Sequence, residues 1–166
     1  EHAFLLSSPR IGDVYEKWEK ELQTLKHPAS KILVIPMFPQ YSEATIASGI
    51  DFFAKSLATK TIIPDFSFIT QFHRSKAFID SSVELVETCL KDNDVDDLVI
   101  SFHGIPKRRV IYKRDPYFQH CFETFKLIEN RLSSIDKKRV HMTFQSRFGS
   151  EEWLGPYTDA YIEELC

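Results

Sequence analysis

The sequence predicts an α/β fold, a mostly parallel sheet flanked by helices. Three observations predict it. Short aliphatic runs alternate with longer segments of helical periodicity along the whole chain. Two of those runs, Ile32-Leu33-Val34-Ile35 and Leu98-Val99-Ile100-Ser101-Phe102, are continuous, as in strands covered on both faces. The composition, 43% hydrophobic and 27% charged, is that of an ordinary globular chain.

The elements follow in order. His2-Ala3-Phe4-Leu5-Leu6 is a short apolar run and reads as a strand. Val14, Trp18, Leu22 and Leu25 recur at helical spacing, which predicts an amphipathic helix over 11–26, ended by Pro28. The strand at 32–35 is stopped by Pro36. Ser42 is placed to cap a helix with Ile46, Ile50, Phe53 and Leu57 on one side. Thr61-Ile62-Ile63 and Phe66-Ser67-Phe68-Ile69 flank Pro64-Asp65; the second is the better strand, and the break between them is the expected domain boundary. Residues 75–91 read as a helix with Phe78, Leu85 and Cys89 toward the core, closed by the polar turn Asp92-Asn93-Asp94. The strand at 98–102, a helix over 117–132, a strand over 139–144 and a helix from Thr158 complete the pattern.

A chain of 166 residues suits one compact domain, or one domain and part of another. The net charge of -3 gives no general electrostatic reason to bind nucleic acid. Cys89, Cys121 and Cys166 are odd in number and form no CxxC pair, which argues against a disulfide framework or zinc knuckle and fits a reducing cytosol. No signal peptide is visible, and no apolar run is long enough to span a bilayer. Residue 1 is Glu rather than Met, so a piece of a longer chain is expected. Fourteen phenylalanines call for a large aromatic core, a flat apolar ligand site, or both.

Three strand ends carry the chemistry. At Ser101-Phe102-His103-Gly104-Ile105-Pro106 a buried strand runs out at a histidine, where open α/β sheets bind ligands. Gly104 lets the backbone turn tightly, Pro106 stiffens the exit, and the His103 imidazole can accept a proton or ligate a first-row metal near neutral pH. A histidine that merely hydrogen-bonds its loop is the competing reading. Thr143-Phe144-Gln145-Ser146-Arg147-Phe148-Gly149, with Trp153 and Tyr157 beyond it, offers hydrogen-bond donors and a flat apolar face. From chemistry alone, a loop packed over the core by its own aromatics is the favoured reading. Pro36-Met37-Phe38-Pro39-Gln40-Tyr41-Ser42 is a stiff loop whose Met37, Phe38 and Tyr41 line an apolar slot or plug the core. One parallel sheet would gather all three loops at one edge. Lys107 to Arg114 holds five basic residues in eight positions. A solvated loop is the expectation, with carboxylates of a ligand or an anionic membrane surface as alternatives. His27, His73 and His141 show no ligand spacing, and His120 beside Cys121 reads as structural. No Walker A loop, HExxH helix, GxSxG elbow or dinucleotide GxGxxG is present.

At these residues the chain resembles the ferrochelatase family, of the bacterial type. The resemblance rests on 35–42 with Thr45, on 101–106, on Asp115-Pro116-Tyr117, on 143–149 and on 152–159, in the family's order and spacing over nearly the whole chain. It implies a Rossmann-like chelatase fold, truncated here: 1–64 the end of a first half, 65–166 most of a second, with a porphyrin in the cleft between them. It implies insertion of ferrous iron into a porphyrin, protoporphyrin IX, in haem biosynthesis. His103 is the implied catalytic and metal-site residue; Phe38, Tyr41, Ser42, Gln145, Ser146 and Trp153 are the implied porphyrin contacts. Fe²⁺ enters as substrate, no cofactor is permanently bound, and no nucleic acid is involved. The expected compartment is the cytoplasm, with contact at the periphery of the inner membrane left open. The partner glutamate of the metal site belongs further toward the C-terminus, and one lip of the cleft to a segment before residue 1, so the piece alone is expected to be inactive. The chain departs from the family at Leu6, where a Tyr is usual, and at Arg114, where a Gly often precedes Asp-Pro-Tyr. Two other readings stay open: a non-catalytic α/β module that binds porphyrin or a protein, and a chelatase for another metal such as cobalt.

Overall fold

The computed structural model describes residues 2–4, 7–24, 31–58, 60 and 63–166, apart from the side chains of Leu22 and Gln23. Leu5, Leu6, Leu25, His27, Pro28, Thr61 and Ile62, on which expectations were placed, lie outside the described residues. The chain divides into two compact units, Glu1–Gln71 and Phe72–Cys166. The division falls beyond Pro64-Asp65 because the strand that follows that break pairs within the first unit.

The first unit holds α1 (Ile11–Gln23), β1 (Lys31–Val34), α2 (Ser48–Leu57) and β2 (Asp65–Phe68). At the chain's start, Phe4 makes a single bridge to Arg10. β1 and β2 run parallel, Lys31 opposite Asp65 through Val34 opposite Phe68. Ser42 starts a helical segment as expected. Its hydroxyl accepts from the Ala44 N–H at 3.2 Å, and one π-helical turn, Glu43–Ala47, leads into α2. Tyr15, Phe53 and Leu57 form the core, with Trp18, Ile32, Val34, Phe66 and Phe68 packed around them. The Phe53 ring meets Phe66 edge-on at 4.8 Å. Among the described side chains of α1, Tyr15 is the buried one, one position from the Val14 expected there, because a tyrosine can bury its ring and keep its hydroxyl at the rim.

The second unit holds α3 (Lys76–Asp92), β3 (Leu98–His103), α4 (Lys107–Lys113), α5 (Tyr117–Glu129), β4 (Val140–Gln145) and α6 (Thr158–Leu165). β3 and β4 pair in parallel, from Leu98 opposite Val140 to His103 opposite Gln145, with α4 and α5 as the crossover a parallel pair requires. Ser75 caps α3, accepting from the Phe78 N–H at 3.3 Å. Ile79 and Val83 of α3 are buried, whereas Leu85 is 68% exposed and Cys89 faces solvent. Of the expected core positions Phe78 packs against the core, whereas Leu85 and Cys89 lie off the buried face, and the buried stripe packs on Phe125, Ile128, Leu132 and Val140. A second cluster of Ile105, Cys121, Phe144 and Leu154 lies under the strand ends. Phe144 alone, at 2% exposure, contributes roughly 1.5–3 kcal/mol by leaving water.

The basic run 107–114 is a helix, not a loop. Two carboxylates offset its like charges: Glu152 pairs with Lys107, and Glu151 with the Arg108 Nε at 2.6 Å. Arg114 ends it in the left-handed region at φ 56°. There a glycine is unstrained and a side chain costs about 1–2 kcal/mol.

Candidate functional site

β3 delivers His103 to its own last position, opposite Gln145 at the end of β4. The imidazole is exposed, and among the described residues its ring makes no hydrogen bond. The backbone behind it is tightly held. The Gly104 N–H donates to the Gln145 carbonyl at 2.8 Å, and the Tyr117 hydroxyl donates to the His103 carbonyl at 2.9 Å.

The next residues form a strap. Leu154 N–H donates to the Ile105 carbonyl at 3.0 Å, Lys107 N–H to the Glu152 carbonyl at 2.9 Å, and Phe144 N–H to the Pro156 carbonyl at 2.8 Å. Pro106 and Trp153 face each other as an antiparallel bridge. The two motifs that end β3 and β4, some forty residues apart in sequence, are thus one hydrogen-bonded layer over the cluster of Ile105, Phe144 and Leu154. Gly104 is needed for close approach rather than for a turn. A Cβ there would lie 2.9 Å from the Gln145 carbonyl oxygen and 3.4 Å from Trp153 Cε3.

Around the strap the side chains divide by task. Gln145 and Ser146 are exposed, and Ser146 turns the chain in the left-handed region at φ 68°, a conformation that costs a non-glycine residue about 1–2 kcal/mol. The Trp153 indole N–H donates to the Phe148 carbonyl at 2.8 Å, fixing its plane. Arg147 lies 4.4 Å above the Tyr157 ring and pairs with Asp159 at 3.0 Å, so it is a brace of its own loop. The Asp159 carboxyl is held below its ordinary range, first by the Ala160 N–H. Thr158, at the start of α6, ties both strands together: its hydroxyl lies 2.7 Å from that of Ser101 and 2.8 Å from that of Thr143. Beside the strap runs an open apolar groove of about 300 Å³, lined by Val110, Ile111, Phe118, Leu154 and Gly155 with Lys107 at its edge.

In the first unit, the 36–42 loop turns Met37 (79% exposed) and Phe38 outward and leaves Tyr41 half-buried. Ser42 is 1% exposed and its hydroxyl is committed to the helix start, so the structure places it under the loop and not on its face.

His73, His120 and His141 are packed. His73 and His120, far apart in sequence, stack at 3.9 Å and 14°, and His73 Nε2 lies 2.9 Å from Glu123. His120 is pushed below its ordinary pKa, chiefly by burial and then by His73. Parallel rings cannot aim their in-plane lone pairs at one ion. His141 bridges Asp97 (2.7 Å) and the Tyr161 hydroxyl (2.9 Å). Among the described residues no group of three or more His, Cys, Asp and Glu is arranged to hold a metal, and no helix is long and apolar enough to cross a membrane. Tyr117 is the residue whose part here was not anticipated, although it lies in the Asp-Pro-Tyr motif; nothing local in sequence says that a phenol will reach back to His103.

The arrangement offers one accessible imidazole on a rigid base, with flat aromatic faces and amide and hydroxyl donors nearby. Such an imidazole can accept a proton or ligate a metal ion entering from outside. Comparison with known proteins gives a consistent result. The Ferrochelatase family model matches residues 2–166. The chain is 38% identical over 159 residues to the coproporphyrin III ferrochelatase of Streptococcus mutans, covering 96% of this chain and 46% of that protein. It is 37% identical over 164 residues to a ferrochelatase of Idiomarina loihiensis (98% and 43%), and 40% identical over 164 residues to one of Alcanivorax borkumensis (98% and 46%). The chain therefore spans about half the length of these relatives.

Proposed function

The chain belongs to the ferrochelatase family, and from that premise we propose that it forms part of an enzyme that inserts ferrous iron into a porphyrin in haem biosynthesis, with His103 as the reacting side chain. The observation that supports this most directly is the exposed imidazole at the end of β3, unbonded among the described residues and carried on a backbone clamped from both sides.

The chemistry sets what is required. Two pyrrole protons leave the macrocycle and one Fe²⁺ enters, so charge balances. A planar ring hides its nitrogens, and a protein that metallates it must hold it bent and supply a base or a metal relay. Neutral His103 accepts one pyrrole proton or passes the iron inward, and the second proton goes to another base or to water. Phe38, Tyr41 and Trp153 are assigned to porphyrin contact residue by residue, as the family resemblance implies. Gln145 and Ser146 are assigned to polar support, and Ser42 remains assigned to the porphyrin-binding loop, its hydroxyl at the start of the helix that follows. Fe²⁺ is the substrate, and the reaction as written needs no resident cofactor.

The test is His103→Ala in the full-length protein, assayed with Fe²⁺ or Zn²⁺ on protoporphyrin IX and on coproporphyrin III. Insertion is expected to be abolished with the circular dichroism spectrum and melting point retained. Retained metallation by a folded variant rejects the role. The 166-residue chain alone is expected to be inactive in the same assay.

A further inference from the structure

We infer that Tyr117 is a positioning residue for His103: its phenol holds the peptide that follows the histidine, so the imidazole is presented from a fixed backbone. The inference deepens the proposed function and rests on it. The aim of a side chain depends on φ and ψ of its own residue before it depends on its rotamer. At His103 the first is set by the β3–β4 ladder, in which His103 lies opposite Gln145. The second moves the 103–104 peptide, and both polar ends of that peptide are tied. The carbonyl accepts from the Tyr117 hydroxyl at 2.9 Å, and the N–H donates to the Gln145 carbonyl at 2.8 Å. A Cβ placed on Gly104 would lie 2.9 Å from that same carbonyl oxygen and 3.4 Å from the Trp153 ring, so the backbone beyond the peptide is closely approached as well.

Tyr117 is suited to the task because it is itself immobilised. It is the first residue of α5, its N–H donates to the Asp115 carboxylate at 3.0 Å, and Asp115 is 6% exposed. Its ring packs on the cluster that contains the fully buried Cys121. Burial, and after it the Cys121 thiol, push the phenol well above its ordinary pKa; the thiol, buried in turn, is pushed up to about 12. The hydroxyl therefore remains a donor throughout the working pH range. The position is distinct from that of a ligand contact. Tyr117 would act on the reaction only through the histidine.

The experiment compares Tyr117→Phe with His103→Ala in the full-length protein, using Zn²⁺ insertion into protoporphyrin IX and 15N-histidine spectra. Tyr112→Phe, altering a ring 81% exposed on α4, serves as control. Tyr117→Phe is expected to lower kcat about ten-fold, the equivalent of one hydrogen bond. It should leave the porphyrin KM within about two-fold and shift or broaden the His103 imidazole signals, while Tyr112→Phe does none of these. Wild-type kcat with unmoved His103 signals in Tyr117→Phe overturns the inference, and an inactive His103→Ala beside it leaves the proposed function standing. An active His103→Ala sinks that function instead. A Tyr117→Phe variant whose activity falls only in step with its unfolded fraction makes the bond structural, and this too overturns the inference.

Discussion

Alanine at Gly104 and alanine at Gly49 should move stability in opposite directions, and the structure gives the size of each change. At Gly104 the new Cβ would lie 2.9 Å from the Gln145 carbonyl oxygen, where a carbon–oxygen contact settles near 3.3 Å or beyond. The chain must open there by about 0.4 Å. That carbonyl is also the acceptor of the Gly104 N–H at 2.8 Å, so the opening stretches the bond toward the limit of useful geometry. Trp153 at 3.4 Å blocks retreat on another side. Overpacking of this kind costs about 1–3 kcal/mol, and the weakened bond places Gly104→Ala toward the upper end, at about 2–3 kcal/mol. At Gly49, within α2, nothing lies within 4 Å of the new Cβ, so the helix gains up to about 1 kcal/mol. The assay is urea denaturation followed by tryptophan fluorescence. The chain has two tryptophans, one in each unit, so a Trp18→Phe background reads Gly104→Ala through Trp153 and a Trp153→Phe background reads Gly49→Ala through Trp18. A Gly104→Ala midpoint equal to or above that of its own parent would refute the close-approach reading of Gly104.

Two more perturbations test the frame of the second unit. Glu87 accepts from the Ser133 N–H at 2.5 Å, the Ser134 N–H at 3.3 Å and both serine hydroxyls, which hold its carboxyl down at about 2 instead of 4.5, the Ser133 backbone foremost. A depressed folded-state value stabilises above the ordinary value and is lost as pH falls. The melting-point gap between wild type and Glu87→Gln should therefore be constant above pH 4.5 and close as pH falls from 4.5 toward 2; a gap unchanged across that window contradicts the assignment. Thr158→Val removes the hydroxyl shared by Ser101 and the fully buried Thr143, and should lower unfolding free energy by about 1–3 kcal/mol in urea, with Thr158→Ser recovering most of it. Equal midpoints for the Val and Ser variants would show that the hydroxyl network carries no load.

What the sequence disclosed of the fold was governed by range. Aliphatic runs and caps are local signals, and Ser42, β3, β4 and α6 were found where they were expected. Phase was harder. In α3 the residues Leu85 and Cys89 are as apolar as Ile79 and Val83, so composition alone could not say which stripe meets α5. The helix at α4 was missed because five neighbouring cations read as a solvated run. The carboxylates that offset them, Glu151 and Glu152, arrive from over forty positions downstream. Gly104 was assigned the wrong service for the same reason, since the backbone it must approach belongs to the other motif.

The contrast between two histidines shows why the site could be singled out and yet not built from sequence. His73 is 4% exposed, its ring is stacked on His120, and its Nε2 is committed to Glu123. Its ring is thus held by contacts inside the protein. His103 has the reverse arrangement: the peptide behind it is clamped by Tyr117 and Gln145, while the ring is left to solvent. A reacting imidazole needs both properties together. A mobile backbone would spend binding energy on ordering the ring, and a bonded ring would have to break that bond before reacting. The sequence supplied the strand end and the histidine. The rigidity comes from a phenol on α5 and a carbonyl at the end of β4, contacts that exist only once the parallel pair has set its register.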